Sequence, residues 1–319
     1  RQRPHEGPRV DEADEDGHCA LDRHLAASEE EASAIEKHLS ACIEDVLRDL
    51  CQGFVERDGR ETYTSDQRDD VFRNATVLLY RLLFILYAEA RDLLPLEVPE
   101  YHAASLDALV ERAAQYVKVT GLPDPDGTEL WQDLSDLCSW INSGDEDHRI
   151  PAYNGDLFED SDKRYIHDHI ITDKYLAPAL FSLGAIEHDS QSGYRRIDYR
   201  DLSVRHLGSI YEGLLEVKLF IAQERRVRRS DGKGGYTFPK LSETRLKKGE
   251  EDQVIGVGQV YFADSAGERK AMGAYYTPEY IVDYIVQQTV RRGLEERRAS
   301  LEEQLPGWLE EVETARPEE

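Results

Sequence analysis

The sequence predicts a mainly α-helical protein, with a multi-helix domain and a small β excursion. Apolar residues recur at helical spacing through much of residues 26–225, which predicts amphipathic helices. Between residues 226 and 272, glycines and short β-type runs replace that pattern, which predicts strands and turns. The chain has 319 residues, 40% of them hydrophobic, and can bury a large core. Its glycine, proline and cysteine contents exclude collagen-like, low-complexity and disulfide-scaffold classes.

The helices of the first two-thirds of the chain follow from their apolar stripes. Residues 1–25 are polar and acidic and predict a flexible lead-in. A helical pattern begins near Leu25, and the strongest stripe, at residues 69–94, predicts a helix that Pro95 ends. Further helices are predicted at residues 105–119, 128–143, 173–183 and 204–225, with a loop over residues 144–165.

The β excursion is predicted over residues 226–270, because closely spaced glycines there interrupt every helical pattern. Short runs rich in Val, Ile, Tyr and Phe are typical of strands. The strand candidates are residues 236–238, 254–257 and 260–262.

The last segment of the chain is predicted to be helical. Thr277 suits the N-cap of a helix and Pro278 its first position, and an apolar face follows over residues 278–291. A charged helical pattern continues to about residue 305. Pro306 and Gly307 then predict the end of the helix, with an acidic tail behind them.

The charge balance is strongly acidic. There are 65 acidic and 39 basic residues, which gives a net charge of −26 spread over the whole chain. Of the basic residues 29 are Arg and 10 are Lys. Dispersed carboxylates with few lysines favour adaptation to high salt, where self-repulsion is screened, and an ordinary acidic bacterial protein is the alternative. At molar salt, the acidic net charge does not exclude a nucleic-acid partner.

Targeting and membrane signals are weak. The most apolar stretch, residues 77–88, has 12 residues and contains Arg81, whereas a membrane span needs about 20. We find no signal peptide, and the four cysteines form no C-x-x-C pair, so zinc binding is not favoured. We therefore expect a reduced, cytoplasmic protein. Because the chain begins with Arg1, we expect it to be a piece of a longer protein.

The sharpest motif lies where the predicted last helix begins. Residues 273–282 read G-A-Y-Y-T-P-E-Y-I-V, so that a glycine-containing loop delivers two tyrosines to a capped helix N-terminus. On the residues alone, a capped helix with aromatic packing is favoured over a binding site. The segment resembles motif X of the N6-adenine DNA methyltransferases. It is most similar to the form in type IIG restriction–modification enzymes and BREX-type phage-defence enzymes.

Three further segments resemble the region before motif X in that family. Residues 80–91 (Y-R-L-L-F-I-L-Y-A-E-A-R) are similar to its L-Y-R-L-L-F-x-L-Y-A-E-x-R helix. Residues 153–158 (Y-N-G-D-L-F) are similar to its Y-N-G-G-L-F loop, with Asp156 in place of the second glycine. Residues 207–216 (L-G-S-I-Y-E-G-L-L-E) are similar to its L-G-x-I-Y-E-G-L-L-E helix. The four matches keep the family's order over most of the chain.

The resemblance implies a helical connector over residues 26–225 and, over residues 271–319, the N-terminal helix of a truncated α/β, Rossmann-like methyltransferase domain. It implies an enzyme that transfers a methyl group from S-adenosylmethionine to adenine N6 in double-stranded DNA. The implied cofactor-binding residues are Gly273, Tyr275, Tyr276, Thr277 and Pro278.

The family's D-P-x-x-G-x-G and N-P-P-Y loops do not occur in this sequence. We therefore expect the chain to have no catalytic residues and to be inactive alone. Its expected partners are the missing remainder of the methyltransferase domain and a nuclease or target-recognition module. The alternative is a non-enzymatic helical scaffold that binds protein partners.

Basic residues concentrate in one part of this acidic chain. Nine positive residues fall within residues 225–248, with Tyr236 and Phe238 between them. Phosphate contact on duplex DNA is one interpretation, and a solvated loop that balances neighbouring acid is the other. The candidate DNA-binding residues are Arg225, Arg226, Arg228, Arg229, Lys233, Lys240, Lys247 and Lys248; Arg245 lies among them.

Three other patterns are weak. Asp201 with Glu216 and Lys218 matches the D…E-x-K pattern of Mg²⁺-dependent nucleases, but the predicted helix would point Glu216 and Lys218 in different directions. We expect Mg²⁺ only with a nuclease domain upstream. The H-D-H run at residues 167–169 has no third metal ligand at a defined spacing. The G-V-G run at residues 256–258 is not a complete dinucleotide-binding loop.

Overall fold

The structure is a computed structural model. It describes residues 20–153, 155–159, 166, 169–188, 193–200, 202, 208, 217–232, 235–264 and 279–314. The chain forms two compact units, Arg1–Met272 and Gly273–Glu319. The protein is mainly helical, as the sequence predicts.

Helices build most of the first unit. They are α1 (Ala20–Asp58), α2 (Ser65–Ala90), α3 (Pro99–Ala104), α4 (Leu106–Gln115), α5 (Glu129–Ser143) and α6 (Asp173–Gly184). A single π turn, Tyr116–Thr120, extends α4. The predicted helices at residues 69–94, 105–119, 128–143 and 173–183 are therefore confirmed. The first helix begins at Ala20, so the predicted flexible lead-in is wrong for residues 20–25, and residues 1–19 lie outside the described residues.

α2 lies in the core of this unit. Thr64 and Gln67 form a capping box that starts the helix, and the apolar stripe of α2 packs against α1 and α4. By length and composition alone, α2 could cross a membrane, although the predicted apolar stretch was shorter. In the fold, 61% of its most apolar window is buried inside the protein, as in the core helix of a globular protein.

Short strands follow the helices in the first unit. They are β1 (Ala185–Glu187), β2 (Tyr194–Arg196), β3 (Val217–Ile221), β4 (Arg226–Val227), β5 (Arg229–Ser230), β6 (Tyr236–Thr237), β7 (Val254–Ile255) and β8 (Val260–Asp264). They pair antiparallel as β1–β2, β3–β8, β4–β7 and β5–β6. The predicted β character of residues 236–238, 254–257 and 260–262 is confirmed.

The β3–β8 ladder joins the β excursion to the helical core. Leu219 pairs with Phe262, and both side chains are buried in the same cluster as the helices. The ring of Phe72 on α2 meets Phe262 edge-on at 5.9 Å. The opposite face of the ladder carries Phe220 and Tyr261, which are half-buried and stacked at 5.5 Å. The excursion is therefore continuous with the helical core.

The structure corrects two predictions about helices. The predicted helix over residues 204–225 is wrong for Val217–Ile221, which is strand β3. Five consecutive residue pairs with β8 satisfy the backbone there, and a distant partner outweighs local periodicity. The predicted helix end at Pro306 and Gly307 is also wrong, because the last helix continues to Thr314. A proline removes one N–H and can leave the flanking helix intact.

The second unit consists of α7 (Glu279–Val286), a π turn (Gln287–Arg291) and α8 (Arg292–Thr314). These helices confirm the helical prediction for residues 279–305. Many of their large apolar side chains are exposed to solvent. They are Val282, Tyr284, Ile285, Val286, Val290, Leu294, Leu301 and Leu305.

Close packing of α6 on α4 gives a testable prediction. A Cβ added to Gly184 would lie 2.7 Å from Val110 Cγ2 and still nearer to Cγ1. We expect Gly184→Ala to lower the free energy of unfolding by about 2 kcal/mol, because a tightly packed core resists an added methyl group. Urea denaturation followed by circular dichroism measures the change. The control is Gly155→Ala, where a Cβ meets nothing within 4 Å. Equal effects of the two substitutions would contradict the close contact.

Candidate nucleic-acid interface

The basic excursion folds into small ladders. Arg226 and Val227 of β4 pair with Ile255 and Val254 of β7, and an isolated bridge joins Arg226 to Lys240. Val227 is buried beneath the ladder, which anchors this part of the chain. Of the predicted DNA-binding residues, all except Lys233 lie within the part of the chain that the structure describes.

The side chain of Arg229 forms a hydrogen-bond network within the protein. Its guanidinium donates to both Glu250 oxygens at 2.9 and 2.8 Å, to Thr244 Oγ1 at 2.6 Å and to the Arg245 carbonyl at 2.6 Å. The hydrogen bonds from Arg229 lower the pKa of Glu250 to about 2. Such a bidentate pair organises the loop before β7. Arg229 therefore has a structural role that the sequence pattern did not reveal.

Three more of the predicted residues have partners within the protein. Arg226 donates to the Phe238 carbonyl at 2.7 Å. Arg228 lies 3.8 Å from the centroid of the Tyr236 ring and 3.8 Å from the Glu44 carboxylate. Lys240 forms an ion pair with Glu224 at 2.7 Å. These contacts match the interpretation in which the basic segment balances neighbouring acid.

The remaining cations face solvent. Arg225, Arg245, Lys247 and Lys248 are exposed, and none of them forms a salt bridge within the described part of the chain. Lys233 lies outside the described residues. An exposed cation without a carboxylate partner can exchange its counterions for a phosphate group. The four residues are hereafter called the exposed basic set, and they are the best candidates for phosphate contact.

Aromatic rings lie next to Arg226 and Arg228, which do not belong to the exposed basic set. Tyr236 is 48% exposed beneath Arg228, and Phe238 contacts Tyr261 at 4.7 Å between ring centroids. Arg226 lies over the other part of this cluster, with its Cζ 5.9 Å from the Tyr261 centroid. Rings beside cations are typical of surfaces that bind nucleic acid, because bases stack on rings while phosphates meet the cations.

Two of the segments that carry the family resemblance contact each other. Arg81, which is 4% exposed, donates from Nε to the Leu157 carbonyl at 2.9 Å, and its Cζ lies 5.6 Å from the Phe158 centroid. Phe84 meets Phe158 edge-on at 5.5 Å. Tyr153 donates from its hydroxyl to the Leu93 carbonyl. Residues 80–91 and 153–158 therefore form one packing unit.

The other two segments cannot be placed in the same way. The implied cofactor-binding residues, Gly273 and residues 275–278, lie outside the described residues, as does most of residues 207–216. Asp201 and Glu216 of the nuclease pattern also lie outside them. Lys218 lies on strand β3 and not on a helix, so the predicted helix geometry does not apply to it, while its position relative to Glu216 lies outside the described residues.

The fold adds no support for the metal-binding pattern at residues 167–169 or for the dinucleotide-binding pattern at residues 256–258. Across the described residues, no group of three or more His, Cys, Asp or Glu side chains could hold a metal ion. His167 and Asp168 lie outside that part, and His169 Nε2 is 3.8 Å from Asp58. Gly258, with a φ of 80°, belongs to the turn that leads into β8. That turn precedes a strand and not a helix, unlike a dinucleotide loop.

Sequence reasoning missed a cleft of about 410 Å³ between α1 and the β excursion. Glu44, Arg48, Asp49 and Gln52 line it from α1. Burial raises the pKa of Asp49 to about 6. The spacing of these polar residues on one helix face was visible in the sequence, but nothing in the sequence indicated that strands cover that face.

Comparisons of the sequence with protein-family models, with curated proteins and with solved structures find no match.

Proposed function

We propose that the chain is the connector region and first methyltransferase segment of an adenine-specific DNA methyltransferase. The whole protein would transfer a methyl group from S-adenosylmethionine to adenine N6, in a cytoplasmic restriction–modification or phage-defence system. The observation that carries the proposal is the ordered resemblance of four segments to one family. In support, two of those segments pack together through Arg81 and Phe158, as parts of one inherited unit would.

In this proposal the first unit positions the catalytic domain, and the second unit begins that domain as the N-terminal part of a Rossmann-like fold. Gly273, Tyr275, Tyr276, Thr277 and Pro278 would line the cofactor pocket. The exposed basic set would contact DNA phosphates. The acidic surface would suit a cell with high internal salt, so that DNA binding is best measured over a series of KCl concentrations.

The test is a methylation assay on the product of the entire source gene, with duplex DNA and S-adenosylmethionine. Mass spectrometry of the digested DNA measures N6-methyladenine. We expect methylation by the whole product and none by residues 1–319 alone. Thr277→Ala with Pro278→Ala should weaken cofactor binding in the whole product. A whole product that neither binds S-adenosylmethionine nor forms N6-methyladenine would overturn the proposal.

The DNA-binding role gives a prediction for the exposed basic set. Replacing Arg225, Arg245, Lys247 and Lys248 with alanine should weaken duplex binding at every KCl concentration. The magnitude of the slope of log affinity against log salt should decrease by about 3.6, because each of the four lost phosphate contacts accounts for roughly 0.9. Fluorescence anisotropy with a labelled duplex measures both quantities.

A control substitution separates contact from folding. Arg229→Ala removes the network with Glu250 and Thr244, so we expect faster amide exchange over residues 229–250. The exposed basic set variant should keep wild-type exchange there, because its side chains make no such network. An unchanged salt slope in that variant would refute phosphate contact by these residues.

One observation favours the alternative of a non-enzymatic scaffold. The second unit exposes a row of large apolar side chains, including Val286, Val290 and Leu294, which a partner would cover. A methyltransferase remainder or a separate protein could supply that cover. The methylation assay distinguishes them, since a scaffold would give no N6-methyladenine and no binding of S-adenosylmethionine.

A further inference from the structure

The cleft between α1 and the β excursion has polar and aromatic walls of different origin. Glu44, Arg48 and Gln52 recur every four residues on α1, and Asp49 lies beside them on the same wall. The opposite wall comes from β7, β8 and the segments that precede them, together with Phe238. Its lining residues include Phe238, Asp252, Gln253, Gln259 and Tyr261. The cleft lies wholly within the first unit.

Most polar groups of the α1 wall already have partners. Gln52 accepts from the Val260 amide at 2.8 Å and donates to the Gly258 carbonyl at 3.3 Å. Arg48 forms an ion pair with Asp45 at 2.6 Å. Glu44 lies 3.8 Å from Arg228, whose guanidinium also covers the Tyr236 ring. These contacts fix the shape of the wall.

Asp49 differs from its neighbours. It is half-buried, lines the cleft and forms no hydrogen bond or ion pair with a residue that the structure describes. Its carboxyl group loses hydration in the cleft, and the neighbouring cation Arg48, which pairs with Asp45, offsets only part of that loss, a condition that disfavours the charged form of Asp49. A ligand that carries a positive charge would stabilise the ionised carboxylate of Asp49.

The cleft also selects the shape of such a ligand. Phe238 and Tyr261, with ring centroids 4.7 Å apart, both line the cleft and offer aromatic surface to a flat cation beside the Phe220 and Arg226 contacts that Tyr261 already makes. The side-chain oxygens of Asp49, Asp252 and Gln253 offer acceptors. The three carboxylates that line the cleft outnumber its two arginines, Arg48 and Arg228, each of which already has a carboxylate neighbour, so a cation is favoured over a phosphate-like anion. A guanidinium group combines a flat shape, a permanent charge and several donors, whereas a primary ammonium lacks the flat face.

We propose that this cleft binds a guanidinium group, with Asp49 as its carboxylate partner and the Tyr261–Phe238 surface as its aromatic wall. A small molecule such as agmatine and an arginine side chain of a peptide share this chemistry. The cleft volume of about 410 Å³ admits an arginine-sized group. The proposal does not depend on methyltransferase activity, so each can fail without the other.

The pH dependence of binding follows from the charges around Asp49. Burial raises its pKa to about 6, with Arg48 lowering the pKa and Asp45 raising it. Glu44, Arg228 and Asp252 are the other charged groups that line the cleft, with Tyr175 and Tyr261 as its phenols. The ligand needs the ionised form of Asp49. Binding should therefore be strong at neutral pH and weaken as the pH falls through about 6.

Isothermal titration of the 319-residue chain tests the proposal with four probes: agmatine, N-acetyl-L-argininamide, butylamine and AMP. We expect agmatine to bind and to exceed butylamine by about tenfold, since one good charge-assisted hydrogen bond is worth that ratio. N-acetyl-L-argininamide binding as well as agmatine assigns the site to arginine side chains. Agmatine binding alone assigns it to a small free cation.

Two variants separate the site from general effects. Asp49→Asn should lower agmatine affinity by about tenfold or more and remove its pH dependence. Asp69→Asn, an exposed carboxylate on α2, should leave both unchanged. Phe238→Leu should weaken agmatine binding, because it removes a ring of the aromatic wall and leaves α1 unchanged. Thermal melting reports whether each variant is folded.

Several results would overturn the proposal. They are no heat from agmatine at neutral pH, equal affinity of agmatine and butylamine, agmatine affinity in folded Asp49→Asn equal to that of the wild type, or AMP binding tighter than agmatine binding. The last result would mark the cleft as a nucleotide site.

Discussion

Replacing Glu89 with alanine is expected to lower the free energy of unfolding by about 4 kcal/mol. Glu89 is 3% exposed at the end of α2, and its carboxylate accepts three hydrogen bonds. The donors are the Tyr101 hydroxyl at 2.7 Å, the Leu106 amide at 2.8 Å and the Asp107 amide at 2.9 Å. Glu89 thus caps the first turn of α4 from another helix. Alanine would leave buried donors without acceptors and open a cavity.

Urea denaturation at fixed KCl concentration measures the loss. The control is Glu97→Ala, an exposed carboxylate a few residues along the chain, which should change the free energy of unfolding by less than about 0.5 kcal/mol. Similar losses in the two variants would show that the cap of α4 does not depend on Glu89.

The same carboxyl group makes stability depend on pH. Burial raises the pKa of Glu89 to about 7 from the ordinary value of 4.5, although its three hydrogen bonds act in the opposite direction. Because the folded state holds the proton more tightly, this contribution to stability is complete below pH 4.5. It is lost as the pH rises to about 7, by roughly 3 kcal/mol in total. Glu89→Gln cannot titrate, so its stability should fall less than that of the wild type across this range. Parallel curves for the two proteins would contradict the shift.

Replacing Arg81 with alanine is expected to lower the free energy of unfolding by about 3 kcal/mol. The side chain is buried and holds residues 153–158 against α2, through the Leu157 carbonyl and the Phe158 ring. Its loss would remove a charge-assisted hydrogen bond and leave a void beside a ring. The loop should then exchange its amides faster than in the wild type.

Hydrogen exchange and urea denaturation together measure the effect of Arg81→Ala. Arg73→Ala is the matched control, because Arg73 is exposed on the same helix and pairs only locally with Asp70. Arg81→Lys should not restore stability fully, since an ammonium cannot reproduce a planar guanidinium against a ring. Full restoration by lysine would assign the contribution to charge alone.

The helices could be predicted because their information is local. The stripes of α2 and α5 repeat every three or four residues, and the fold buries those stripes. The capping residue Ser105 accepts a hydrogen bond from the Ala108 amide and starts α4 where the pattern begins. Strand β3 could not be predicted, because its partner β8 lies about 40 residues away and its apolar residues also suit a helix.

The candidate interface, too, could be predicted only in part from the sequence. The sequence shows nine cations in 24 residues, but it does not show which of them have partners. Arg229 has a carboxylate partner because the chain folds back and brings Glu250 next to it. Lys248 lies only two residues before Glu250, but its side chain is exposed to solvent. Which cations have carboxylate partners depends on positions in space, so neighbouring arginines and lysines of this segment differ in whether they are paired or exposed.

By itself the sequence determined the helical class, the apolar face of each main helix, the β character of the segment after residue 226, and the family resemblance. Each of these is encoded in composition, short-range periodicity or the order of motifs. Only the tertiary structure decided that Glu89 caps α4, that Arg81 joins two motif segments, and that Asp49 faces a cleft beneath β8. Those facts depend on contacts between residues far apart in the chain, and burial in such contacts changes the hydrogen bonding and charge of a side chain.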